Sequence, residues 1–186
     1  HIGAGYNLQP LCRMLAKLGY TGHEFLSGIP GSIGGAIIMN AGTPEGEIKD
    51  ILIQATVVDD KGEIQKLSNK DLEFAYRTSK LKQMGEFLIV DGDFFFEKEK
   101  IAGASAKQIG EDKVIRREKQ PLEYPSCGSV FRNPEGNHAG ALIEELGLKG
   151  YRLGDAQISE KHANFIVNLG NAKADDIRTL IEMIQE

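Results

Sequence analysis

Residues 28–47, GIPGSIGGAIIMNAGTPEGE, carry glycines at 28, 31, 34, 35, 42 and 46. Glycine lets the backbone take positive φ and come into contact distance of another group, and it costs more conformational entropy to order than any other residue. Six such positions in nineteen residues mean that something sits close to this main chain. Two candidates satisfy the spacing. One is a phosphate or pyrophosphate, met by main-chain amides that lead into a helix. The other is a sheet against which Gly34 and Gly35 let a helix pack tightly. Spacing alone leaves both open. The upstream GAGYN, residues 3–7, lacks the full glycine spacing of a dinucleotide-binding fingerprint and does not decide between them.

Around this segment the periodicities are mixed. In NLQPLCRMLAKLGY, Leu8, Leu11, Cys12, Leu15 and Leu18 recur at helical spacing, with Gly19 as the stop. ILIQATVVDDKGEIQKLS, residues 51–68, is rich in β-branched residues and has Asp60-Lys61-Gly62 as turn chemistry, which predicts a β-hairpin. Ser68 has the character of an N-cap for a short turn through NKDLEF. EFLIVDGDFFFEKE reads as one strand, with Phe94, Phe95 and Phe96 in core and edge packing, and the polar stretch at residues 100–120 reads as a helix. Pro121 and Pro125 bracket a non-helical connector. Beyond it come a helix stopped by Gly147, a strand in ANFIVNLG, and a last helix with Ile177, Leu180, Ile181 and Ile184 on one face. The pattern predicts an α+β chain in two parts, with a boundary in residues 116–125.

Composition narrows the function classes. The 186 residues are 41% hydrophobic and 26% charged, an ordinary globular balance. A net charge of −5 with both signs interspersed gives no footprint for a polyanion, so no nucleic-acid partner is expected. No apolar run approaches the ~18 residues needed to cross a bilayer, and no signal sequence opens the chain; no membrane role and a cytoplasmic setting are expected. Cys12 and Cys127 are expected to be reduced thiols rather than a disulfide or metal pair. The start at His1 without a methionine predicts a piece of a longer protein.

Two segments carry candidate chemistry. FAYRTSKLK places Arg77 beside Tyr76; a guanidinium is a permanent cation with a planar fork of donors, suited either to a carboxylate or enolate-like oxygen pair or to a surface ion pair. YPSCGSVFRNPEG contains Ser129 outside the G-x-S-x-G elbow of hydrolases, which disfavours a serine nucleophile. The alternatives are a turn residue or a proton donor, the latter only toward a carbanion-like acceptor. His1, His23, His138 and His162 form no metal-ligand pattern, and no metal is expected.

In this order, GIPGSIGGAIIMNAG, FAYRTS, KQPLEYPSCGSVFRNPEG, AGALIEELGLKG and ISEKHANFIVN resemble the UDP-N-acetylenolpyruvoylglucosamine reductase family of peptidoglycan synthesis, across nearly the whole chain. The resemblance implies a fold with the second FAD-binding subdomain at residues 1–117 and a small α/β substrate-binding domain at 118–186. It implies FAD and NADPH as cofactors and UDP-N-acetylglucosamine enolpyruvate as substrate. Reduced flavin passes hydride to the enolpyruvyl C3, and the enolate-like charge at C2 and on the carboxylate must be stabilised and then protonated. By motif, Arg77 matches the charge-stabilising residue and Ser129 the proton donor. Asn133, Lys149 and His162 match substrate contacts at the diphosphate region, and Tyr76 matches a further substrate contact. Gly28, Gly31, Ser32, Gly34, Gly35 and Gly42, with Ser32 and Gly34 central, match the approach to the FAD pyrophosphate, and Ile89 matches a position beside the flavin. A monomer is expected.

The departures from the family pattern are specific. Its third catalytic residue is a glutamate in an EPEVR-like strand, which IEMIQE does not match, so Glu186 takes no role. A GxGSN loop of a first FAD subdomain has no counterpart here. NAGTPEGE stands where NAGAYGGE is common, and Cys127 stands where alanine is common. The tyrosine-bearing insertion of one branch is absent, which implies the shorter branch. The alternative function is a truncated, non-catalytic module that binds the nucleotide sugar or FAD.

Overall fold

The structure, a computed structural model, describes residues 1–186. They fall into two compact units, His1–Lys113 and Val114–Glu186. In the first, chain order runs β1 (Ile2–Gly3), α1 (Leu8–Lys17), β2 (Tyr20–Thr21), α2 (Ile33–Met39), β3 (Gly42–Thr43), β4 (Gly46–Glu47), α3 (Ile48–Ile51), β5 (Leu52–Asp59), β6 (Ile64–Ser68), β7 (Phe87–Phe94) and β8 (Glu97–Lys98). Helix α4 (Ala104–Lys119) runs through the point of division.

The hairpin expected at residues 51–68 is β5–β6, paired antiparallel with Val57 opposite Gln65. Its turn closes as the residue types require: the Asp59 carboxylate accepts from the amides of Lys61 and Glu63, and Gly62 takes φ +81°. The sheet order is β1-β7-β5-β6. Alternation turns Ala55 and Val57 of β5 and Ile89 of β7 inward, where Leu8, Leu11, Cys12 and Leu15 of α1 and Ile33 and Ile37 of α2 complete one core. Gly92 has no room for a side chain, since an added Cβ would lie 2.9 Å from the Phe94 side chain, 3.1 Å from that of Leu52 and 3.2 Å from that of Ile37 on α2. Burial raises the Cys12 thiol to about 12, so it is an inert core group.

Two expectations need correction here. Leu18 is not on the buried stripe of α1: the helix ends at Lys17 and Leu18 is exposed, with Gly19 at φ +72° turning the chain away. The aromatic run is not one strand either. It breaks between β7 and β8, leaving Phe95 exposed while Phe94 and Phe96 stack at 6.0 Å.

The second unit contains β9 (Ser126–Ser129), α5 (Ala139–Glu145), β10 (Arg152–Leu153), β11 (Ala156–Ile158), β12 (Phe165–Asn168) and α6 (Ala174–Gln185). Its sheet is antiparallel, in the order β10-β11-β12-β9. Ile143, Ala156, Ile158, Ala163, Ile166 and Leu180 form its core, and Ile177, Ile181 and Ile184 pack against it as the last helix's spacing requires. Ser126–Ser129, read as connector or turn from the sequence, is a strand paired to β12, with Ser129 opposite Phe165.

Candidate functional site

The glycine-rich segment builds the start of α2. Ser32 is its N-cap, and the Gly35 amide donates to Ser32 Oγ at 3.5 Å, at the outer limit of a hydrogen bond. The segment after β1 zips onto this helix start. Ile33 N–H donates to the Tyr6 carbonyl, Gly34 N–H to the Ala4 carbonyl, and Leu8 N–H to the Gly31 carbonyl. The two readings of these glycines therefore separate residue by residue. Gly34 is buried, its amide is engaged, and an added Cβ would lie 3.1 Å from Ala4 Cβ; it is a packing glycine. Gly31, at φ +125°, and Gly35 are exposed, and a Cβ on Gly31 would meet nothing within 4 Å. The open main chain that a pyrophosphate could approach is at Gly31, Ser32 and Gly35, with Gly28 half-buried ahead of them. Ile89 is 7% exposed and its side chain belongs to the core.

Gly42 is brought together with Tyr76 and Arg77. Tyr76 and Arg77 form a two-residue corner closed by reciprocal hydrogen bonds between Ala75 and Thr78. Arg77 takes φ +54°, a left-handed conformation that disfavours a side chain of this kind. Its Nη2 donates to the Gly42 carbonyl at 2.6 Å, Nη1 lies 3.5 Å from Glu47 Oε1, and the guanidinium lies 4.8 Å from the centroid of the Tyr76 ring. Gly42 must be glycine: an added Cβ would sit 2.4 Å from the Gly46 carbonyl across the tight β3–β4 hairpin. That hairpin is the backbone path of NAGTPEGE, with Pro44 and Glu45 at its tip.

Sequence reasoning missed Asn40 and Glu47. Asn40, fully buried at φ 42°, ends α2 and donates through Nδ2 to Glu47 Oε2 at 3.0 Å and to the Ala75 carbonyl at 3.2 Å. Its Oδ1 accepts from the Lys49 amide. Asparagine tolerates the left-handed region, and N-A-G after a helical pattern was the available signal.

In the second unit Ser129 is exposed at the end of β9. The preceding Gly128 takes φ +82°. Asn164, also missed, is buried and clamps the following segment: it accepts from Phe131 N–H and donates to the Phe131 carbonyl, while its own carbonyl accepts from Val130. Asn133 Oδ1 accepts from the Ala139 amide at the start of α5. His162 lies 4.8 Å from the Phe165 ring and against Gly140, where a Cβ would come within 3.1 Å of the imidazole. Burial, with Lys149 adding to it, holds His162 below the ordinary histidine range. Its Nδ1 accepts from the Asn164 amide, which places the proton of the neutral ring on Nε2. Lys149 pairs with Glu144 at 2.9 Å. No group of three or more His, Cys, Asp or Glu side chains is placed to hold a metal ion, and no helix is long and apolar enough to cross a membrane.

Two family profiles match the chain: residues 1–68 match a FAD binding domain, and residues 120–186 match the UDP-N-acetylenolpyruvoylglucosamine reductase C-terminal domain. The chain is similar to UDP-N-acetylenolpyruvoylglucosamine reductase 1 of Bacillus cereus, 45% identical over 99% of this chain and 61% of the relative. The Caldicellulosiruptor bescii reductase is 47% identical over 98% of this chain and 58% of its own length. The crystal structure of the Thermus caldophilus enzyme superposes with a TM-score of 0.87 at 38% identity, covering 98% of this chain and 66% of that one. The chain belongs to the UDP-N-acetylenolpyruvoylglucosamine reductase family and spans about six-tenths of the length of the curated relatives it matches.

Proposed function

We propose that the protein reduces UDP-N-acetylglucosamine enolpyruvate to UDP-N-acetylmuramate, with NADPH as reductant and FAD as resident cofactor. The observation that carries this reading is Arg77: a half-buried cation kept in a strained backbone conformation, in a chain whose family reduces an enolpyruvyl group. Strain at a polar residue persists where the surroundings hold it, and such positions gather at functional sites.

The main chain at exposed Gly31 and Gly35 and half-buried Ser32 fits a pyrophosphate, and those residues would hold that part of FAD. When bound, FAD supplies the hydride. Arg77 then stabilises the negative charge that develops at the enolpyruvyl C2 and on the carboxylate, a task for a fixed cation rather than for a titrating group. Ser129 gives its hydroxyl proton to C2. A serine hydroxyl is too weak an acid for most acceptors, and a carbanion-like carbon is the exception. In the diphosphate region, His162 offers Nε2–H, Asn133 its Nδ2 amide and Lys149 a point charge, and elsewhere on the substrate Tyr76 offers its phenol.

The test is product formation. The protein as its gene encodes it, supplied with FAD, NADPH and UDP-N-acetylglucosamine enolpyruvate, is expected to yield UDP-N-acetylmuramate by mass spectrometry. Binding of the nucleotide sugar by calorimetry without flavin retention or product would favour the non-catalytic module instead.

A further inference from the structure

We propose that Glu47 is a positioning residue for Arg77: held by Asn40 and Lys49 through one carboxylate oxygen, it presents the other to the guanidinium and fixes the direction in which the cation faces the reacting group. The inference rests on the reading of Arg77 as the charge-stabilising residue.

A guanidinium on a flexible stem can turn about several bonds, and its value in a reaction depends on being oriented before charge develops. Three of the contacts of Arg77 restrain its guanidinium. The Gly42 carbonyl takes Nη2 at 2.6 Å, Glu47 Oε1 faces Nη1 at 3.5 Å, and the Tyr76 ring packs on the cation's face at 4.8 Å. Gly42 and Glu47 lie opposite each other on the β3–β4 hairpin, so one small element supplies both the neutral and the charged contact.

The carboxylate is itself restrained. Oε2 accepts from Asn40 Nδ2 at 3.0 Å and pairs with Lys49 Nζ at 2.8 Å, while the Glu47 amide donates to the Asp50 carboxylate at 2.8 Å. Asn40 also donates to the Ala75 carbonyl, one residue before the corner that carries Arg77. A single fully buried amide therefore ties both the carboxylate and the arginine's backbone to the end of α2. This network needs two left-handed residues that are not glycine, Asn40 and Arg77, and a residue at position 42 with no Cβ. A surface ion pair needs none of these.

The test compares half-reactions in the protein as its gene encodes it, with FAD bound. Glu47→Gln is expected to slow flavin reoxidation by the enolpyruvyl substrate by about ten- to a hundredfold, with flavin reduction by NADPH changed by less than about twofold. Glu47→Asp, which keeps the charge one methylene back, is expected to recover part of the loss, and it serves alone should Glu47→Gln fold poorly. On an Arg77→Ala background, Glu47→Gln is expected to add nothing, because the two residues act as one unit. Additive losses, or equal losses in both half-reactions, overturn the proposal. A second readout does not depend on turnover. In nitrogen-15 spectra, the Arg77 guanidinium is expected to rotate slowly in the unaltered protein and faster in Glu47→Gln; unchanged rotation overturns the proposal. If the unaltered protein fails to reoxidise its flavin on the enolpyruvyl substrate, the functional reading falls, and the spectra alone then decide the role of Glu47.

Discussion

His23 illustrates how much a single buried side chain can report. It is fully buried, its Nε2 lies 3.1 Å from the Tyr20 carbonyl and 3.4 Å from Ser105 Oγ, its Nδ1 has no hydrogen-bond partner, and its ring stands edge-on to Phe96. Burial lowers its pKa, against the opposing pull of the Glu24 and Glu99 carboxylates. A group whose folded pKa is depressed stays neutral in the folded state while the unfolded chain takes up a proton. Its contribution is therefore present above the ordinary histidine value of 6.5 and is lost as pH falls below it. The urea midpoint is expected to fall between about pH 7 and about pH 5, and His23→Gln is expected to flatten that part of the profile. In the sequence His23 was one of three unassigned histidines, because nothing local shows that Tyr20, Phe96 and Ser105 converge on it. Arg77 and Ser129 were singled out by their motifs, whereas Asn40, Glu47 and Asn164 act through partners distant in sequence.

At the scale of elements, legibility followed locality. Helix α1 and the β5–β6 hairpin are set by spacing and by turn chemistry within their own residues, and both form where the pattern places them. Strand β9 is set from outside. SCGS carries no alternation, and its pairing comes from β12, about forty residues later by count along the chain. The β3–β4 hairpin is a similar case: its glycines announced close approach but not what approached. The structure identifies it as the opposing strand and the Glu47 side chain, which a Cβ on Gly42 would meet at 2.4 Å and 2.7 Å. Gly42→Ala is expected to destabilise the protein by about 1–3 kcal/mol, the usual cost of overpacking, measured as a lowered denaturant midpoint. Because the Gly42 carbonyl holds Arg77, the same substitution is expected to slow flavin reoxidation more than flavin reduction. Equal stability of the variant would show that the hairpin relaxes freely and that its geometry does not restrain the arginine.

The whole molecule consists of two units, each with its own core; Arg77 lies in the first and Ser129 in the second. In the proposed reaction Arg77 answers for charge and Ser129 for the proton. That division of labour is the central claim, and anaerobic stopped-flow on Ser129→Ala separates its parts most directly. Flavin reduction by NADPH is expected to match the unaltered protein, while reoxidation by UDP-N-acetylglucosamine enolpyruvate slows by about a hundredfold or more, the range lost with a general acid. Reoxidation at the unaltered rate, or equal slowing of both half-reactions, would contradict the account and return Ser129 to a structural residue at the end of β9.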